Sequence, residues 1–270
     1  MKTKSIKKPV AVKESLFAKS FRLAKSNPNK TGLMILFDML FLVSVFALNK
    51  LIQYAAPFLI GTAAPTTASA ILLIVFSLIY YLIVLFAYSF FKYSILDYIK
   101  SLFDKAHFSF KRLGQFYLLN IIIAGIFLAI MLAANYVLAS IKQAYAPLVF
   151  IFLAVPYLLF LYVIVNISHS LFYKGASIKE SVKKSFTITF TRIKVYRETI
   201  LIMVLFALVL WFLFFGSGYL VRLLASKNYD LYLNAYIYFK QAAIVVFDLA
   251  LYLIILINRI SFYSITKESK

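Results

Sequence analysis

Nine acidic residues, two histidines and no cysteine are all that this 270-residue chain offers for an acid–base pair, a metal site or a thiol nucleophile. Asp38 and Asp248 stand out because each lies inside a long apolar run, where a carboxylate costs about 2.5 to 3.5 kcal/mol. Two roles fit such a group: an ion-paired or hydrogen-bonded structural acid, or a relay for a proton or cation. The two aspartates fall near opposite ends of their runs, roughly 10 Å or more apart along the helix direction at 1.5 Å per residue, so they cannot share one proton or metal. The cations within reach of Asp248 are Arg222 and Lys240, whose long stems can snorkel; for Asp38 they are the basic residues flanking the first run.

Asn120, Asn166, His169, Asn258 and Arg259 cluster toward one set of run ends. They would either line a shared polar vestibule or hydrogen-bond singly between helices. Pro156 would bend its run and free a carbonyl, and Gly216-Ser217-Gly218 would allow close helix packing. Known catalytic signatures are missing: there is no G-x-S-x-G, H-E-x-x-H or P-loop, and neither His107 nor His169 has ligands at metal spacing. Ser168 and Ser170 flank His169, but side chains adjacent on a helix point in different directions and make no triad. A non-catalytic protein without cofactor or metal is expected.

The elements that hold these residues are set by composition. Apolar residues make up 64% and aromatics 18% of the chain, and a mean hydropathy of +0.92 lies outside the range of soluble domains. Six runs approach or exceed the roughly 20 residues needed to cross the hydrocarbon as a helix: 31–48, 68–91, 116–137, 147–171, 199–223 and 241–262. Their continuous apolarity excludes the alternation of barrel strands, so the expected fold is all-α with six transmembrane helices. Residues 1–30 form a basic leader too long for a cleaved signal, residues 31–262 the membrane domain and 263–270 a tail.

A net charge of +20 would suit nucleic acid, but its placement argues otherwise. Twenty-four of the 29 lysines and arginines fall in alternate connections and five in the others, the asymmetry that keeps basic loops in the cytoplasm. Both termini are therefore expected in the cytoplasm of a multi-pass cell-membrane protein. Tyr219, Tyr229, Tyr232, Tyr236 and Tyr238 would then mark the outer headgroup level.

The basic connections resemble one another. Lys19-Ser20-Phe21 aligns with Lys184-Ser185-Phe186, and Val12-Lys13-Glu14-Ser15 with Ile178-Lys179-Glu180-Ser181. Ile99-Lys100 meets Ile178-Lys179, and Phe108, Phe110 and Arg112 meet Ile188, Phe190 and Arg192. Three repeats of basic amphipathic helix plus helical hairpin follow. Apolar residues recur every three or four positions over 96–113 and 178–196. Lys100, Lys105, Lys111 and Arg112 in one copy, with Lys179, Lys183, Lys184 and Arg192 in the other, are candidates to meet anionic lipid headgroups at the interface.

On segments of the type "SIKESVKKSFTITFTR" before a hairpin of spans, the chain resembles six-span proteins related to the membrane domain of some bacterial glycerophosphodiester phosphodiesterases. The resemblance implies a membrane fold and no activity, because no phosphodiesterase domain is present. The expected partners are the bilayer, anionic headgroups and another membrane protein, with no nucleic acid. The expected function is lipid organisation or a membrane-subunit role at the cytoplasmic surface, with a small-solute or ion transporter as the alternative.

Overall fold

A computed structural model describes residues 15–60, 67–225 and 228–268. They form eight α-helices and no strand: α1 (Leu16–Ser26), α2 (Pro28–Ile60), α3 (Thr67–Ser101), α4 (Phe110–Ala139), α5 (Ala146–Tyr173), α6 (Ile178–Thr191), α7 (Ile193–Ala225) and α8 (Tyr229–Glu268). All but α1 and α6 are long and apolar enough to cross a membrane, and the chain is a multi-pass helical membrane protein. Val12, Lys13, Glu14 and Lys227, the rest of residues 1–14 and the end of the tail lie outside the described residues, as do the side chains of Tyr229 and Tyr232.

Local chemistry explains the helix boundaries. Pro28 opens α2, a position where its missing N–H is not needed, and Thr31 Oγ1 donates to the Ala24 carbonyl at 2.9 Å across the joint with α1. The α5 terminus closes in a Schellman turn. Gly175 has φ +108°, its N–H donates to Phe172 O at 2.9 Å, and Ala176 N–H donates to Leu171 O at 3.2 Å. Ser177 then caps α6 by accepting from the Glu180 N–H. Pro156 lies within an uninterrupted α5.

The spanning helices run well past the apolar runs. At 35 residues, α3 is about 52 Å long, against about 30 Å of hydrocarbon. Its extension from Ser89 to Ser101 carries the protein-buried residues Tyr93, Ile95, Leu96 and Ile99. A hydropathy run ends at Phe91 because Lys92, Asp97 and Lys100 interrupt it, but the helix continues because its apolar positions have protein to pack on.

The chain separates into two compact units, residues 24–193 with 262–270, and residues 1–23 with 194–261. In the larger unit, α2 packs on α3, α3 on α4, α4 on α5, and α6 on both α5 and α4. Its core lies at the basic ends of these helices: Tyr93 and Ile99 of α3, Leu113, Phe116 and Leu119 of α4, and Ile164, Ile167 and Phe172 of α5. Away from that end, Leu72, Ile74, Leu78, Leu132, Phe152 and Leu158 are exposed. Tyrosine hydroxyls tie the helix pairs at middle depth, Tyr117 to Leu82 O at 3.1 Å and Tyr157 to Phe127 O at 3.0 Å. In the smaller unit, Phe214 meets Phe247 at 6.2 Å between ring centres. A Cβ on Gly218 would stand 3.3 Å from the Phe239 ring, so this glycine serves close packing.

One expected element differs. The amphipathic helix anticipated over 96–113 is two helix ends joined by a non-helical connection at 102–109. Phe108 folds back on Tyr93, with ring centres 5.3 Å apart, so apolar spacing persists across a chain reversal. The α6 helix forms, but its most buried face is hydroxylic: Ser181, Ser185 and Thr189, each 0% exposed. Ser185 and Thr189 bond back to carbonyls of their own helix, leaving a small-residue ridge for close approach to α5. Ile178, Val182 and Phe186, expected on the lipid-facing stripe, are half-buried. The aligned pair Ser20 and Ser185 are both buried while Lys19 and Lys184 are exposed, and Ser20 Oγ accepts from Ser261 Oγ at 2.9 Å.

Candidate functional site

Polar side chains at the basic end of the larger unit form three arrangements. The deepest joins α3, α4 and α5. His169 Nε2 lies 2.6 Å from Asn120 Oδ1, Asn120 Nδ2 donates to Ser89 Oγ at 2.9 Å, and Ser89 Oγ donates to Leu85 O at 2.7 Å. Because the Asn120 amide spends its N–H on Ser89, its Oδ1 is an acceptor and the imidazole proton sits on Nε2. Asn120 is 4% exposed and His169 0%. Phe116 packs on the imidazole with ring centres 4.6 Å apart, and Tyr88 lies at 6.2 Å. Asn166, buried on α5, donates instead to Tyr162 O one turn back. These residues make a sealed inter-helical link. Burial closes the space around Asn120 and His169, and Asn166 bonds within its own helix, so these three line no open vestibule; Asn258 and Arg259 belong to the other unit. Asn258 is fully buried, and among the described residues neither its amide oxygen nor its nitrogen has a hydrogen-bond partner.

The second arrangement is a set of cations on helix C-terminal carbonyls. Lys30 at the start of α2 donates to Ser101 O at the end of α3, 2.6 Å. Arg112 in the first turn of α4 donates to Phe172 O in the last turn of α5, 3.0 Å, and stacks over the Phe172 ring at 5.2 Å. Lys174 donates to Tyr263 O near the end of α8, 2.7 Å, and lies 4.5 Å from that ring's centre. Each places positive charge at the negative end of a helix dipole. Nearby, Tyr173 donates to Asp97 and Lys100 lies over the Tyr173 ring at 5.6 Å. Lys100 and Arg112, expected among lipid headgroups, are thus half-buried and engaged by protein.

The third arrangement is open. A groove of about 680 Å³ is lined by Lys174, Gly175, Lys183, Lys184, Thr187 and Arg192 among others. The Glu180 carboxylate also lines it and pairs with Lys184 at 2.5 Å, one turn apart on α6. Hydrogen bonding to Lys184, then its charge, hold the Glu180 carboxyl below the ordinary carboxylate range. Lys183 and Arg192 are exposed there. Lys105, Lys111 and Lys179 are also exposed but do not line this groove.

The two aspartates of the apolar runs belong to different units. Asp38 is half-buried in α2 and has an interaction partner. Asp248 is exposed on α8, in a groove of the smaller unit that Arg222 and Lys240 also line. No ion pair within 4 Å joins Asp248 to Arg222 or Lys240, the cations within its reach by sequence, among the described residues.

Sequence reasoning missed Lys30, Lys174, Ser89 and the Asp97–Tyr173 bond. A signal existed for the first two: a lysine beside the end of an apolar run, where helix carbonyls lack partners. Nothing in the pattern matched Ser89 to Asn120, since depth along a helix says nothing of azimuth. Comparison with protein-family models, with curated proteins and with solved structures returned no match to this chain, so the geometry alone carries the functional reading.

Proposed function

We propose that this protein is a non-catalytic, multi-pass protein of the cell membrane whose basic end faces the cytoplasm and holds anionic phospholipid headgroups. The observation that carries this reading is the groove beside α6, where Lys183 and Arg192 stand exposed beside the Glu180–Lys184 pair and Thr187. The Gly175 turn is part of its lining, and its position at the end of α5 matches the level where a headgroup meets a spanning helix. A phosphodiester offers two acceptor oxygens to such cations. The distribution of lysine and arginine supports the cytoplasmic orientation.

Basic residues near an anionic surface contribute about 1 kcal/mol each, so Lys183 and Arg192 together are worth about 2 kcal/mol, roughly thirty-fold in affinity. The test uses full-length protein in uncharged detergent. Adding phosphatidylglycerol, but not phosphatidylcholine, is expected to raise the thermal unfolding midpoint, and salt or the double substitution Lys183→Ala with Arg192→Ala is expected to abolish the rise. An undiminished rise in that variant sinks the proposal.

A second reading, passage of a small solute or ion, draws on the exposed carboxylate of Asp248. Flux in proteoliposomes that disappears in Asp248→Asn would favour it, and flux indifferent to that change would remove its support.

A further inference from the structure

The groove of the smaller unit combines features that the lipid-headgroup reading does not use. It measures about 480 Å³ and lies between α7 and α8, within the range of about 300 to 1,000 Å³ typical of small-molecule sites. Trp211 and Phe215 line it as a stacked pair, ring centres 5.4 Å apart and planes 18° from parallel. Phe247 adds a third ring from α8, beside Asp248. Both Trp211 and Asp248 are exposed.

The three charges in this groove are not equivalent. Lys240 and Asp248 are eight residues apart on α8, about 12 Å along the axis, and Arg222 is two residues from the end of its spanning segment, Tyr196–Leu224. The long stems of Arg222 and Lys240 let their charges withdraw toward water. Asp248 has a one-carbon stem and cannot follow. A carboxylate in an apolar spanning segment, in a groove that aromatic rings also line, attracts an organic cation twice over, by direct charge and by the ring quadrupoles.

We infer that the α7–α8 groove binds an amphiphilic organic cation, with Asp248 as its counter-ion and the rings of Trp211, Phe215 and Phe247 as its walls. The ligand class is a quaternary ammonium or phosphonium, or a protonated aromatic amine, lipophilic enough to arrive through the bilayer. A cation of this kind neutralises the carboxylate without the hydration shell that a metal ion would have to surrender.

Trp211 is the only tryptophan in the chain, so its fluorescence reports on this groove alone. The experiment titrates full-length protein in uncharged detergent with tetraphenylphosphonium and, separately, with tetraphenylborate, which has the same shape and opposite charge. The readout is the ratio of their apparent affinities in each variant relative to that in wild type, a comparison in which each probe's own partitioning into the micelle cancels. Asp248→Asn is expected to lower the cation-to-anion ratio at least ten-fold, and Asp248→Glu to leave it within three-fold of wild type. Asp248→Ser serves as a second uncharged variant should Asp248→Asn fail to fold. A ratio unchanged in the uncharged variants overturns the proposal, as does a Trp211 signal that fails to saturate with the phosphonium.

Discussion

Removing the amide of Asn120 tests whether the buried chain from His169 to Ser89 holds α3, α4 and α5 together. Asn120 makes two inter-helical hydrogen bonds, and in membrane bundles such bonds average about 0.6 kcal/mol each. The larger effect comes from what is left behind. In Asn120→Ala the His169 Nε2–H stays buried without its acceptor, a penalty of about 1 to 3 kcal/mol, so the total loss is about 2 to 4 kcal/mol. Replacing both partners by apolar groups of similar shape, Asn120→Leu with His169→Phe, removes the stranded donor and should cost within about 1 kcal/mol of nothing. The coupling between the two sites is then large and favourable, as a double-mutant cycle measures it. Reversible unfolding of the full-length protein in mixed micelles, followed by far-ultraviolet circular dichroism, supplies the stabilities of wild type, Asn120→Leu, His169→Phe and the double variant for the cycle, with Asn120→Ala measured beside them. A loss below about 0.5 kcal/mol for Asn120→Ala, or a double variant as damaged as the sum of its singles, would refute the reasoning.

Three further outcomes follow from local geometry. Gly175 sits at φ +108°, so Gly175→Ala strains the turn into α6 by about 1 to 2 kcal/mol; a thermal midpoint equal to wild type would contradict this. Lys174→Met removes a charged donor from Tyr263 O, a bond worth about 1.5 to 3 kcal/mol, and should speed amide exchange near the end of α8, whereas unchanged exchange there would count against the clamp. The Glu180 carboxyl is held low by Lys184, so the pair's contribution to α6 is complete above the ordinary glutamate range and is lost as pH falls through the lowered value. Carbon NMR should give Glu180 a higher titration midpoint in Lys184→Met; equal midpoints would dismiss the pair.

Hydropathy made the six spanning helices legible because lipid demands an unbroken apolar surface. It was blind past Phe91, where α3 continues into a protein-lined core: there Tyr93, Ile95, Leu96 and Ile99 need only one apolar face, and Lys92 and Lys100 no longer end the helix. Periodicity over 96–113 was real but misassigned, since Ile99 and Leu113 pack into one core from two helices and spacing cannot register the reversal at 102–109. At the site, Asn120 and His169 were each recognisable as polar residues at similar depth. Their mutual bond depends on which way α4 and α5 are rotated, and that is decided by packing such as Phe116 against His169. Lys183 and Arg192 were legible because exposed charge needs no partner, whereas Lys100 and Arg112 looked the same in sequence and are taken up by Tyr173 and Phe172.

The uneven enclosure of α3 gives its two halves different rules of substitution. Cutting Ile99, 0% exposed, to alanine leaves a hole that no acyl chain can enter, at a loss of about 2 to 5 kcal/mol. The same truncation at Leu78, 59% exposed, opens no hole, because a fluid hydrocarbon neighbour closes over the gap. Exposed positions of that half, such as Leu72, Ile74 and Leu78, can therefore drift among leucine, isoleucine, valine and phenylalanine as bilayer thickness requires, while the buried Tyr93, Ile95, Leu96 and Ile99 must keep their shapes.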